Sequence, residues 1–148
     1  MSLGTVYELV QEGLVRVDDS LQLVREVTSD HLSELLGYSL ESAGKRIRPV
    51  LTLLSGRFYD YNLDKLLPMA VAVELLHIAT LVHDDAVDKS AVRRGRPTVN
   101  KVWGEDKAIL LGDYLFAKAG EFCANTGNVR VIKLFSQTLA TISSGELQ

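Results

Sequence analysis

The chain has 148 residues, 47% of them hydrophobic and only three of them proline, which is enough for one domain with its own core and suits a mainly helical protein. Its net charge of −3 argues against a nucleic-acid binder, yet seven of the 16 Lys and Arg residues fall in two windows, 45–48 and 89–96, which points to small anions rather than a polyanion. A single cysteine, Cys123, excludes an internal disulfide and fits a reducing, cytoplasmic compartment, and no stretch reads as a signal peptide or a transmembrane segment because Glu74 and His77 interrupt the longest apolar run.

In chain order, Val6, Leu9, Val10, Leu14, Val17, Leu21, Val24 and Val27 recur at spacings of three and four, so the pattern predicts one amphipathic helix over 4–28. Ser29-Asp30 caps a shorter helix around 31–40. Gly44 then breaks the pattern, and Pro49 fits the first turn of a helix that runs to about Tyr59. Lys45, Arg46 and Arg48 crowd the start of that helix. The macrodipole disfavours cations there, whereas an anion would be held by the free N–H groups and the side chains together. Taken alone, an ordinary exposed basic turn has the same composition.

After a turn at 60–62 the central helix spans about 63–88. A helix turns about 100° per residue, so His77, Asp84 and Asp88 share one stripe, with Asp85 beside it. The rest of this helix is apolar nearly all round, the mark of a buried one. Three carboxylates at the end of a buried helix repel one another and lose hydration unless a cation neutralises them. Oxygen ligands at this spacing suit a hard ion that keeps waters and shares phosphate oxygens, and Mg²⁺ fits best. The run lacks the glycine and distal glutamate of an EF-hand. Immediately beyond lies Arg93-Arg94-Gly95-Arg96-Pro97, an anion receptor. Carboxylates beside arginines imply a phosphorylated substrate, most simply a diphosphate. The plain alternative is a solvated acidic helix end, although acidic residues at a helix C-terminus oppose the macrodipole by about 0.3–1 kcal/mol each.

Residues 89–102 read as a polar loop, 107–126 as a helix in which Asp113 caps or pairs rather than ligates, and 126–128 as a break. A last helix starts near Val129 and meets no stop signal, so the pattern predicts that the domain continues. No linker or repeat divides residues 1–148, and no segment reads as a strand. The expectation is a single all-α domain of about six helices.

Three motifs in this order, GKRIRP at 44–49, HDDAVD at 83–88 and RRGRPT at 93–98, resemble those of the trans-polyprenyl diphosphate synthases, and the resemblance covers essentially the whole chain. It implies the N-terminal half of an isoprenoid-synthase-type helical bundle. The implied activity is that of a prenyltransferase joining an allylic polyprenyl diphosphate to isopentenyl diphosphate. It further implies Mg²⁺ held by Asp84, Asp85 and Asp88, with Arg93 on the allylic diphosphate. Lys45, Arg48, His77 and Arg94 match positions that hold the diphosphate of isopentenyl diphosphate. Arg46 and Arg96 would support the field, and Gln148 aligns with a glutamine that faces the cavity. Such enzymes are homo-oligomers, and the resemblance places much of the interface on 107–126 and 129–148.

The chemistry agrees with the residues. Ionising a C–O bond to diphosphate leaves an allylic cation, and a metal with arginines stabilises the departing charge, so no protein nucleophile is required. The growing tail is implied to run beside the metal helix away from the aspartates. Ala79 and Thr80 lie roughly 6–7.5 Å below Asp84 at the helical rise. Both are small, which implies an open tunnel and a long-chain, octaprenyl-type product. The alternative is that both are small so that a neighbouring helix can pack closely. Complete synthases also carry a second aspartate-rich motif, which these 148 residues do not contain. The chain by itself is therefore expected to be inactive. The competing readings are a half-length subunit of a heteromeric synthase, a class I terpene cyclase, and a helical interaction module; the last leaves both arginine clusters unexplained.

Overall fold

The protein is described by a computed structural model over residues 3–41 and 44–147. Gln148, expected to face the cavity, lies outside the described residues. The elements run α1 (Leu3–Glu8), α2 (Gln11–Leu23), α3 (Asp30–Glu41), α4 (Ile47–Gly56), α5 (Leu63–Val87), β1 (Val92–Arg93), β2 (Arg96–Pro97), α6 (Val99–Trp103), α7 (Glu105–Ala124) and α8 (Val129–Glu146). The all-α expectation holds, with eight helices among the described residues rather than six.

Both extra helices come from tertiary partners that override a local pattern. The helix expected over 4–28 is two, because Val10 leaves helical backbone at φ −125°. The carbonyl freed at Leu9 is capped by Arg57 Nη2, which donates to it at 2.6 Å from the end of α4. Val10 itself turns into the core at 2% exposure. The loop expected over 89–102 contains a two-stranded hairpin and α6. Its turn places Arg94 and Gly95 at φ 51° and 78°, the left-handed pair of a type I′ turn, with Val92 opposite Pro97 and Arg93 opposite Arg96. A side chain at position 95 would be strained there, whereas glycine is not.

Helix α5 starts with Asn62, whose side chain accepts from the Lys65 N–H at 3.2 Å. It is long and apolar enough to cross a membrane by length and composition. Here that apolarity is used inside the protein: Val71, Ala72, Leu75 and Ala79 are each 0% exposed. α2, α4 and α6 pack against α5, and α7 covers it most extensively. The close approach of α7 rests on small residues. Ala72, Ala79 and Ala86 recur every seven positions along α5 and are 0%, 0% and 3% exposed, so they share a stripe. His83 lies on that side and meets Gly112 of α7, where an added Cβ would sit 2.1 Å from His83 Nε2. Cys123 is likewise packed in α7 at 1% exposure, and burial pushes its thiol up, so it is a structural thiol.

Gly112→Val should therefore destabilise by about 1–3 kcal/mol through overpacking. Thermal unfolding followed by circular dichroism should show a lower midpoint, and His83→Ala in the same chain should recover part of the loss. An unchanged midpoint for Gly112→Val would contradict the contact.

α8 is anchored by Phe135 and leaves Leu134 63% and Ile142 45% exposed; on α7, Leu110 is 61% exposed.

Candidate active site

Two clefts flank α5, and His77 lines both. The first, about 280 Å³, lies between α3, α5 and the hairpin. Its charged walls are Glu41, Glu74, Asp85, Arg93, Arg94 and Arg96. The second, about 410 Å³, lies between α4, α5 and α8. It is apolar along Leu51, Val73, Leu76 and Ile142, and polar where Asp84, Glu146 and Arg48 meet it.

The hairpin is clamped onto α3. Tyr38 Oη donates to the Pro97 carbonyl at 2.7 Å, the Arg96 guanidinium lies 4.5 Å over the Tyr38 ring, and Trp103 meets the same ring edge-on at 4.9 Å. Thr98, 3% exposed, donates its hydroxyl to the Ser90 carbonyl at 2.6 Å. The second basic motif is thus a rigid arm that carries Arg93 and Arg94 back over α5. Gly44 of the first motif touches that arm: a Cβ there would be 2.7 Å from Arg94 Nη1. The two basic motifs, a third of the chain apart, meet at one place.

His77 sits among them. Burial, with the positive charges of Arg48, Arg94 and Arg93, lowers its pKa from 6.5 to about 4. The ring is neutral at pH 7 and can donate one hydrogen bond to a phosphate oxygen. Below pH 6.5 the unfolded chain takes up a proton that the folded chain refuses. Stability from this group is therefore complete above pH 6.5 and is lost as pH falls to about 4. Thermal midpoints between these values should fall more steeply for wild type than for His77→Asn; parallel curves would show that His77 is not the titrating group.

The three aspartates divide. Asp85, 6% exposed, accepts from Arg93 Nε at 2.9 Å through both Oδ1 and Oδ2. That hydrogen bond makes Arg93 hold its proton more tightly than usual, and it leaves the two terminal amino groups of the guanidinium as further donors. Asp84 is on the groove side. Burial and the Glu146 carboxylate of α8, with Asp88 and Asp85 adding, push its carboxyl above its ordinary pKa despite Arg93. Asp88 caps the helix one turn beyond, where the Ser90 N–H donates to the Asp85 carbonyl at 2.9 Å and closes α5. Among the described residues no three His, Cys, Asp or Glu side chains gather as a metal cage. The donor set suits Mg²⁺ all the same, since that ion takes one or two carboxylates and completes its shell with water and phosphate. The expectation places the ion on all three aspartates; Asp85 is held by Arg93, and Asp84 and Asp88 are the two that stand exposed.

The chain-length pair also divides. Thr80 lines the apolar groove, and its hydroxyl donates to the His77 carbonyl at 2.8 Å. Ala79 is 0% exposed, lines neither of the two clefts, and stands one turn before His83, which meets Gly112 of α7. Lys45 and Arg48 are exposed on either side of Arg46, which turns inward. Asp113 pairs, as expected: its Oδ1 lies 3.5 Å from His83 Nε2. His83 Nε2 is also 3.0 Å from the Ile109 carbonyl, which can only accept, so that nitrogen carries the proton. Sequence reasoning passed over Glu74, Tyr38 and Glu146. For Glu74 there was a signal, a carboxylate in the middle of the apolar run of α5.

A helical bundle whose central helix turns carboxylates to an apolar groove and an arginine arm to a second cleft has the plan of the isoprenoid synthases. The pattern of the polyprenyl synthetase family matches residues 29–148, and the chain belongs to that family. It is 40% identical over 150 residues to heptaprenyl diphosphate synthase component 2 of Geobacillus stearothermophilus, covering 100% of this chain and 46% of that one. It is 33% identical over 149 residues to octaprenyl diphosphate synthase of Escherichia coli (strain K12), covering 99% and 46%. A decaprenyl diphosphate synthase from Rhodobacter capsulatus has the same fold at TM-score 0.91 and 35% identity, over 97% of this chain and 45% of that one. A polyprenyl synthase from Caulobacter crescentus CB15, solved with calcium and isoprenyl diphosphate, gives 0.92 and 29% over 99% and 44%. The chain spans about half the length of the curated relatives it matches.

Proposed function

We propose that this chain supplies one wall of the active site of a prenyltransferase that joins an allylic polyprenyl diphosphate to isopentenyl diphosphate. The observation that carries the reading is the pair of clefts sharing His77. The apolar groove with carboxylates at one end suits a molecule with a charged head and a hydrocarbon tail. The arginine-walled cleft suits a second, smaller diphosphate. The Caulobacter relative was solved with calcium and isoprenyl diphosphate, which supports a divalent ion and a prenyl diphosphate as the ligands of such a fold.

In this reading Asp84 and Asp88 hold Mg²⁺, which when bound neutralises charge on the departing diphosphate. Arg93 is given the same diphosphate by the resemblance, but Asp85 orients it on the wall of the arginine-lined cleft rather than of the groove. Arg94 and neutral His77 line the arginine-walled cleft and bind the diphosphate of isopentenyl diphosphate there; Arg48, expected beside them, meets the groove near Asp84, and Lys45 lines neither of the two clefts. The apolar walls Leu51, Val73, Leu76 and Ile142 give the hydrocarbon tail its path. Because the chain holds a single DDxxD, these residues bind diphosphate but need a second carboxylate wall for turnover.

The test is incubation of the whole protein with Mg²⁺, labelled isopentenyl diphosphate and allylic diphosphates of increasing length. Chain-extended product and pyrophosphate release are expected, both abolished by EDTA. No product from any allylic primer would overturn the reading, and full turnover by residues 1–148 alone would overturn the need for a second wall.

The exposed apolar residues of α7 and α8 suit a protein partner. A second copy of the chain is the simplest occupant. The relative named component 2 of a synthase favours, as a second reading, a different subunit. Light scattering of the protein with and without co-expressed partners separates the two.

A further inference from the structure

Arg46 sits in the middle of the first basic motif but does not join its neighbours. Its Nε donates to Asp18 Oδ1 of α2 at 2.9 Å, and its Nη1 donates to Glu74 Oε1 of α5 at 3.0 Å. Its side chain is 17% exposed, and that of Glu74 is 4% exposed. The Arg46 backbone is left-handed, φ 52° and ψ 35°, a conformation that a non-glycine residue keeps only when its surroundings hold it there. Lys45 before it and Arg48 after it are exposed. The same loop is tied at two further points, by the Tyr7 hydroxyl donating to the Lys45 carbonyl and by the Arg94 guanidinium against Gly44. Glu74 is also part of the wall of the arginine-lined cleft. A buried carboxylate there would repel any phosphate unless a cation cancelled it.

We propose that Arg46 is a positioning residue that cancels the Glu74 carboxylate on the wall of the anion cleft and locks the 44–48 loop, and with it Lys45 and Arg48, in place. The inference rests on reading that cleft as a diphosphate site. Arg46 does not touch the anion. It keeps a hostile charge neutral and spares the loop the entropy of ordering when the anion arrives.

The experiment titrates inorganic pyrophosphate into the 148-residue chain by calorimetry, for wild type, Arg46→Met, Glu74→Gln and the double variant. Arg46→Met should weaken binding about tenfold or more by leaving Glu74 unpaired. Glu74→Gln should bind as tightly as wild type or more tightly. The double variant should regain most of the loss, because the repelling charge is gone. A double variant that binds no better than Arg46→Met would overturn the charge role and leave only a structural tie. If Arg46→Met does not fold, Arg46→Lys keeps the positive charge beside Glu74; a tenfold loss there would likewise overturn it. Should wild type bind no pyrophosphate, the reading of the cleft fails, and the loop is judged by trypsin. Cleavage after Lys45 should be about tenfold faster in Arg46→Met as local opening becomes easier. Cleavage at the wild-type rate would overturn the lock.

Discussion

Asp84→Ala, made in the whole protein, should lower the rate of pyrophosphate release from an allylic diphosphate by about 10²–10³, the usual cost of one transition-state electrostatic partner. Asp85→Ala should also be damaging, but by another route. Asp85 holds Arg93 Nε with both oxygens at 2.9 Å, so its loss frees the arginine to swing out of register, a displacement of the kind that costs about 10²-fold. The two losses respond differently to metal. Asp84 is the carboxylate that lies among like charges with its pKa raised, and its replacement should raise the Mg²⁺ concentration needed for half-maximal rate. Asp85→Ala should leave that concentration close to wild type. Asp85→Ala combined with Arg93→Ala should cost little more than either alone, because the two act as a unit. Equal Mg²⁺ dependence for Asp84→Ala and Asp85→Ala would contradict the division of labour between them.

That division could not be seen in the letters DDAVD. Helical spacing puts Asp84 and Asp88 on one stripe and Asp85 beside it, but which side faces a cation depends on where the arginine arm folds back. The arm itself was legible only as composition. Arg-Gly is not among the strongest hairpin signals, and the left-handed turn at Arg94 and Gly95 is stabilised from outside, by Tyr38 and Thr98. The central helix was legible because nothing competes with it: its apolar run is long, and Asn62 caps its start. The break at Val10 was not, because the apolar spacing continues through it and the partner that stabilises it, Arg57, is 47 residues on in the sequence. Glu74 was legible in principle. A carboxylate that is 3% exposed within such a helix requires a partner, but the sequence does not say which of the 16 basic residues supplies it.

Ala79→Phe and Thr80→Phe, one residue apart, should fail in opposite ways. Thr80 lines the apolar groove with Val73 and Leu76, so a phenylalanine there projects into the space assigned to the growing tail. The whole protein should stay folded and release a shorter polyprenyl diphosphate, because the ring blocks the groove about one turn below Asp84, roughly 6 Å along the helix. Ala79 is fully buried at 0% exposure and lies one turn before His83 on the side that meets Gly112. A phenylalanine there has to part α5 from α7, an overpacking that costs about 1–3 kcal/mol and often more for so large a change. For a domain of this size that lowers the unfolding midpoint by several degrees, at about 2–8 °C per kcal/mol. Thr80→Phe should leave the midpoint near wild type. Product chromatography and thermal unfolding together decide the matter. A stable Ala79→Phe protein with shortened product would place Ala79 in the tunnel after all, and an unshortened product from a folded Thr80→Phe protein would move the tail away from this groove.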